Sequence, residues 1–158
     1  ETKRWPPQHF AEAADLLAEA QPIPLVFMGG PAERSETRAV MKRMRTKAVD
    51  LTGQTPVGLL PSLLRRAAVF VTNDSGPMHI AAAVGTPVVA LFGPTDPVKT
   101  GPYGQGHVVL SNPVECRPCF RRECSRTATL ECLTGVTPEQ VVRAVQRQLG
   151  RLDTSGSS

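Results

Sequence analysis

Asp74, Ser75, Gly76 and His79 lie within six residues of one another and bring together a carboxylate, a hydroxyl, a pliable backbone and an imidazole. The apolar run Ala67 to Val71 reads as a strand, and Thr72-Asn73-Asp74-Ser75-Gly76 as the polar turn that ends it. A small-residue helix from about Pro77 to Val84 follows, then a second apolar strand, Val88 to Phe92. Strand, turn, helix and strand make one βαβ unit, and such units bind ligands at the carboxyl ends of their strands. The open N–H groups of the helix start favour a phosphate, and Gly76 allows close backbone approach. Asp74 has two readings, both with the carboxylate ionised. It is either a helix N-cap worth about 1 kcal/mol or an acceptor for ligand hydroxyls. His79, one turn into the helix, is either a packed core residue or a donor that faces the turn and its phosphate.

These groups need a scaffold. Pro6 and Pro7 open a helix in which Phe10, Ala13, Ala14, Leu17 and Ala18 recur at helical spacing. Ile23 to Met28 is a short strand ended by Gly29-Gly30-Pro31, and Ala32 to Lys47 is a basic amphipathic helix with Val40, Met41 and Met44 inward. Over 33–47 six Lys or Arg stand against two Glu, as on a solvated helix face. Ala48 to Leu51 is a brief strand, Thr52 to Pro56 a turn, and Val57 to Arg66 a helix. The loop Gly93-Pro94-Thr95-Asp96-Pro97 follows the central unit, and His107 to Leu110 is a last strand. Thr137-Pro138-Glu139 caps a closing helix to about Leu149. Four to five strands alternating with helices predict an α/β fold, a Rossmann-like, doubly wound parallel sheet. Residues 1–150 form one domain with a cysteine-rich loop at 113–133, and 151–158 a flexible tail.

The 158 residues suffice for one domain with a real core. A net charge of +4 and a pI of about 9.2 suit a polyanionic partner. Aromatic residues make up only 4%, which leaves little to stack on bases, so nucleic acid is not the expected partner. No apolar stretch approaches the ~18 residues needed to span a bilayer. Because the chain begins with Glu1 rather than Met, it reads as a piece of something larger. Cys116, Cys119, Cys124 and Cys132 follow the spacing C-x2-C-x4-C-x7-C within seventeen residues. In a cytosolic protein such clustering suggests structural zinc before a disulfide-bonded loop, with free thiols as the third outcome. Arg117, Arg121, Arg122 and Arg126 make this loop basic, suited to an anionic acceptor or a peripheral membrane contact.

Taken together, Lys3-Arg4-Trp5-Pro6, Gly29-Gly30-Pro31, Asn73-Asp74-Ser75-Gly76-Pro77-Met78-His79 with Ala81-Ala82-Ala83, and Gly93-Pro94-Thr95 resemble the glycosyltransferase family that contains the lipopolysaccharide heptosyltransferases, glycosyltransferase family 9. The cysteine segment resembles members of the heptosyltransferase II type. The resemblance spans roughly residues 1–150 and implies the C-terminal, donor-binding half of a GT-B fold, two Rossmann-like domains facing a cleft. It implies transfer of heptose from ADP-L-glycero-D-manno-heptose to the lipopolysaccharide inner core. No cofactor is implied for that transfer, which is expected in the cytoplasm at the inner face of the inner membrane.

The same resemblance sets Asp74 against sugar hydroxyls and Lys3 on the phosphate nearest the sugar, with Ser75, Gly76 and His79 at the helix start. Glu33 is implied on sugar hydroxyls, with Glu36 a near competitor. Gln54 and Thr55 fall near the base, and Thr95 with Asp96 along the same edge. The aspartate that deprotonates the acceptor is expected in an N-terminal domain that does not precede Glu1, and the phosphate-contacting threonines expected before Lys3 are absent too. The fragment alone is therefore expected to bind donor weakly and not to transfer sugar. Two other readings stay open, the donor domain of a UDP-sugar transferase and a non-enzymatic module whose cysteine loop is a zinc-stabilised binding surface.

Overall fold

The computed structural model describes residues 2–124 and 130–155. The first half of the chain runs α1 (Pro7–Ala20), β1 (Val26–Phe27), a 3-10 turn Pro31–Glu33, α2 (Arg34–Met41), β2 (Val49–Asp50), a 3-10 turn Val57–Leu59 and α3 (Leu60–Arg65). It continues β3 (Phe70–Asn73), α4 (Gly76–Ala83), β4 (Val88–Leu91), α5 (Pro97–Thr100), β5 (Val108–Leu110), α6 (Glu131–Thr134) and α7 (Pro138–Ser155).

β4 organises the molecule because none of its four side chains is polar and all are buried. Alternate strand residues face opposite sides, so β4 feeds two cores. Val89 and Leu91 pack with Trp5, Leu17, Leu133, Val141 and Val145, under α1 and α7. Val88, Ala90 and, just beyond the strand, Phe92 pack with Leu64, Met78 and Ala81, under α3 and α4. β4 lies between β3 and β5, parallel to both, with Phe70 opposite Val88 and Val89 opposite Val108. β1 and β2 form a second parallel pair, Val26 opposite Val49. Among the described residues there are thus five parallel strands with helices on both faces, as the doubly wound expectation has it, but in two ladders rather than one.

Several boundaries differ from the sequence reading, each for a physical reason. The strand expected over 23–28 shrinks to two residues, since Pro22 and Pro24 have no N–H to give a ladder. The helix expected over 32–47 stops at Met41. The N–H groups of Arg45 and Thr46 donate instead to the Asp15 carboxylate, at 2.9–3.0 Å, which draws the chain out of helical geometry. Val40 is buried there, with Met41 and Met44 half-buried. The closing helix carries the expected cap, a reciprocal pair in which Gln140 N–H donates to Thr137 Oγ1 and Thr137 N–H to Gln140 Oε1. It continues to Ser155, so residues 151–155 are helix rather than tail. The short helices α5 and α6 were not expected. No helix of the described residues is long and apolar enough to cross a membrane.

Asp15, 2% exposed, also accepts the Thr46 hydroxyl at 2.7 Å and faces the Arg45 guanidinium at 3.8 Å. Burial pushes its pKa up, but the Thr46 hydroxyl and the two backbone N–H groups outweigh burial and hold the carboxyl below its ordinary value. A lowered folded pKa stabilises the fold above the ordinary aspartate value, and that contribution is lost as pH falls through the lowered one. Asp15→Ala is therefore expected to lower the unfolding free energy by about 2–3 kcal/mol at pH 7, since it removes the acceptor that three donors share. In urea unfolding measured from pH 7 to pH 2, the gap between variant and parent should narrow with acidity.

Candidate functional site

The site begins with Trp5. Its ring is 1% exposed and meets Phe10 edge-on at 4.9 Å, and its indole N–H donates to the Val136 carbonyl at 2.9 Å. Its backbone N–H donates to Asn73 Oδ1 at 3.0 Å, which pins the segment before α1 to the carboxyl end of β3. Lys3, two residues upstream, is thereby brought onto the residue after Asn73. Lys3 Nζ lies 2.6 Å from Asp74 Oδ2, and Thr95 Oγ1 donates to the same oxygen at 2.8 Å. Asp74 is buried while the Lys3 side chain is 47% exposed, so the carboxylate lies under a cation that still faces solvent. No hydrogen bond from a described residue reaches Asp74 Oδ1.

The N-cap reading of Asp74 does not hold. Ser75 occupies the N-cap position of α4 with extended backbone, and no side chain caps this helix. The Ser75 hydroxyl instead pairs with Thr72 Oγ1 at 3.1 Å, and Thr72 donates to the Asn73 carbonyl at 3.0 Å, which fixes the turn from beneath. The open N–H set at the helix start is smaller than expected. Pro77 has none, and Met78 N–H donates to the Ser75 carbonyl, which leaves Gly76 N–H as the first-turn donor. A Cβ built on exposed Gly76 would meet nothing within 4 Å, so no packing inside the chain requires glycine there. Gly93 is the opposite case. A Cβ there would come within 2.8 Å of the Leu133 side chain and 3.0 Å of the Thr2 carbonyl, so internal packing requires the glycine. His79 is exposed and makes no hydrogen bond to a described residue, so it is neither a core histidine nor a brace for the turn.

Lys3, Asp74, Ser75, Gly76 and Thr95 are therefore brought together at the carboxyl edge of β3 and β4, and no hydrogen bond between described residues ties the remaining predicted positions to that cluster. Glu33 is exposed and uses Oε2 to accept the Gly30 N–H at 2.7 Å, closing its own 3-10 turn. Its competitor Glu36 is ion-paired with Arg4, the neighbour of Lys3, and accepts the Ser35 hydroxyl at 2.8 Å. The Ser35 hydroxyl and its own backbone N–H, with help from Arg4, hold the Glu36 carboxyl below the usual range. Gln54 donates its side-chain amide to the Asp50 carbonyl at 2.7 Å, an internal turn bond, with half-buried Thr55 beside it. Asp96 caps α5 by accepting the Val98 N–H at 3.0 Å. Sequence reasoning missed the Arg4–Glu36 pair and the brace from Asn73 to Trp5, since both link positions far apart in the chain.

All four thiols are free, with Cys132 buried and Cys116 and Cys124 exposed. Among the described residues no three His, Cys, Asp or Glu side chains converge closely enough to hold a metal ion. Burial pushes the Cys132 thiol up, with the neighbouring Cys116, Cys119 and Cys124 adding to the shift and Arg117 opposing it. The loop is held by protein hydrogen bonds: Cys119 and Phe120 N–H both donate to the Pro94 carbonyl at 2.9 Å. Arg126 lies outside the described residues.

A separate hollow of about 320 Å³ lies at the amino ends of β4 and β5, lined by Gly85, Pro87, Tyr103, His107 and Gln148. Two of its polar side chains are already engaged. His107 Nδ1 accepts the Val88 N–H, so Nε2 carries the proton and donates to the Tyr103 carbonyl; Gln148 donates to the Gly106 carbonyl. Its volume exceeds what its chemistry offers, and the Asp74 edge is the better candidate.

Comparison with known proteins identifies the family. Residues 1–129 match the sequence profile of Glycosyltransferase family 9 (heptosyltransferase). Over 149 residues the chain is 30% identical to lipooligosaccharide heptosyltransferase 2 of Campylobacter jejuni, an overlap of 92% of this chain and 46% of that protein. It superposes on E. coli ADP-heptose LPS heptosyltransferase II with a TM-score of 0.82 at 27% identity, covering 96% of this chain and 44% of the other. E. coli heptosyltransferase WaaC, solved with ADP, gives a TM-score of 0.68 at 25% identity over 94% of this chain and 41% of its own. The chain thus spans about half the length of the curated relatives it matches. A profile match over most of the sequence, a parallel α/β fold and these two structures agree on one assignment: the chain belongs to glycosyltransferase family 9, the heptosyltransferases.

Proposed function

We propose that this chain is the donor-binding half of an enzyme that transfers heptose from ADP-L-glycero-D-manno-heptose to the lipopolysaccharide inner core. The observation that carries this reading is the buried Asp74 carboxylate, held on one oxygen by Lys3 and Thr95 beside the uncapped start of α4. In such a transfer the bond between the anomeric carbon and the diphosphate oxygen breaks as the acceptor hydroxyl oxygen bonds to that carbon. The hydroxyl proton leaves to a base, and ADP departs with added negative charge. Fixed donors aimed at that charge lower the barrier. An ammonium has three donors. Lys3 uses one on Asp74, which leaves two to face the diphosphate together with the Gly76 N–H. Asp74 Oδ1 is the acceptor for sugar hydroxyls, and Ser75 keeps the turn in place.

The described site offers no second carboxylate of this kind, and Asp74 is already engaged by a cation, so the acceptor's base is supplied from outside this segment. On that reading the chain alone binds donor and does not complete transfer, and no metal takes part in the step. ADP rather than UDP as the nucleotude-bearing group is supported by the ADP-bound E. coli relative. We place the reaction at the cytoplasmic face of the inner membrane, where the exposed, basic segment around Arg122 suits contact with anionic lipid.

Asp74→Ala is expected to weaken ADP-heptose binding at least tenfold, roughly 1.4 kcal/mol or more, while the fold stays within about 1–2 kcal/mol of the parent. Calorimetric titration with the sugar nucleotide, beside a urea melt, checks both; unchanged affinity would exclude the role given to Asp74. Lys3→Met should weaken ADP itself by about tenfold, read in the same titration. In thermal shift, ADP is expected to stabilise the chain where UDP at equal concentration does not, because only a bound ligand raises the melting point.

A further inference from the structure

Arg117 carries the cysteine-rich loop to the donor edge. Arg117 donates from one terminal nitrogen to the Asn112 carbonyl at 3.2 Å and from the other to the Thr95 carbonyl at 3.3 Å. Thr95 in turn gives its hydroxyl to Asp74. The loop also grips both flanks of that bond. Cys119 and Phe120 N–H share the Pro94 carbonyl, and Thr2 Oγ1, next to Lys3, donates to the Arg121 carbonyl at 2.8 Å. A closed circuit results: Asp74 to Lys3, Thr2 to Arg121, Phe120 to Pro94, and Thr95 back to Asp74.

Two features of this junction cost stability. Arg117 Nε is buried without a hydrogen-bond partner, and Phe120 adopts a left-handed φ of 54° although it is not glycine. Such costs persist where the surrounding structure needs the geometry, and they concentrate at functional sites. Stability alone does not call for this arrangement, since Cys116, Pro118 and Phe120 are exposed.

We propose that Arg117 is a positioning residue for the donor carboxylate, acting through Thr95 to set where Asp74 presents its open oxygen. The proposal rests on the reading that Asp74 accepts sugar hydroxyls. It assigns the loop a role without any metal: to hold the Pro94–Thr95 backbone so that the Thr95 hydroxyl keeps Asp74 in one orientation.

Two readouts on the chain test it. Titration with ADP and with ADP-heptose should show Arg117→Met weakening ADP-heptose about tenfold and ADP less than about twofold, an effect absent in a Thr95→Val background because the two residues act as one unit. Arg117→Lys, which keeps the charge but cannot bridge both carbonyls, should recover part of the loss. In the ligand-free protein, the side-chain carboxyl carbon resonance of Asp74 should move in Arg117→Met. Equal losses for both ligands, or an unmoved Asp74 resonance, would overturn the proposal, since a loop that merely pins structure changes both ligands alike. If Asp74→Asn leaves ADP-heptose affinity intact, the underlying reading of Asp74 fails; if Asp74→Asn loses affinity and Arg117→Met does not, only the role of Arg117 fails. Should Arg117→Met not fold, Arg117→Lys carries the same comparison.

Discussion

A carboxylate taken out of water must find a cation or hydrogen-bond donors, and Asp74 finds both on a single oxygen. That requirement organises the functional edge. It needs Lys3 within reach, so the segment before α1 must lie across the end of β3, and the buried Trp5 holds it there. It needs the Thr95 hydroxyl, so the turn after β4 must be fixed, and Gly93 lets Leu133 and the Thr2 carbonyl close over that turn. The ion pair draws its strength from this support. An exposed Lys–Asp contact would contribute little, whereas here the carboxylate is buried and the ammonium is half outside.

The same geometry separates two tasks within a few ångströms. Everything beneath the turn is engaged internally: Thr72 with Ser75, Asn73 with Trp5, Thr95 with Asp74. What faces outward is left open: the spare donors of Lys3, the Gly76 N–H with no side chain above it, and Asp74 Oδ1. A ligand with negative charge and adjacent hydroxyls matches that set, whereas in the hollow at the other end of the sheet His107 and Gln148 are already paired within the chain. Chemistry, more than concavity, locates the site.

Where neighbouring residues decide the outcome, the sequence was readable. β4 was legible because a short, valine-rich apolar run between Pro87 and Gly93 fits a strand buried on both faces, and the start of α7 because Thr137 and Gln140 are three residues apart. The end of α2 was not, since it is decided by Asp15, thirty residues upstream of the N–H groups it captures. The site shows the same division. The Asn73-to-Gly76 turn announced itself through spacing, but Lys3 lies 71 positions from its partner and was reached only through family resemblance. Arg117 was legible only as part of a basic loop, because its contact with Thr95 depends on how the cysteine loop folds back. His79 and Gln54 show what spacing leaves open: a polar side chain near a turn does not reveal whether it faces the solvent, as His79 does, or its own backbone, as Gln54 does.

Amide chemical-shift mapping of the chain during ADP titration tests the central claim most directly. The account predicts that the largest shifts fall on Lys3, Asp74, Ser75, Gly76 and Thr95. Shifts centred instead on Gly85, Tyr103, His107 and Gln148 would contradict it, since they would put the nucleotide at the opposite edge of the sheet.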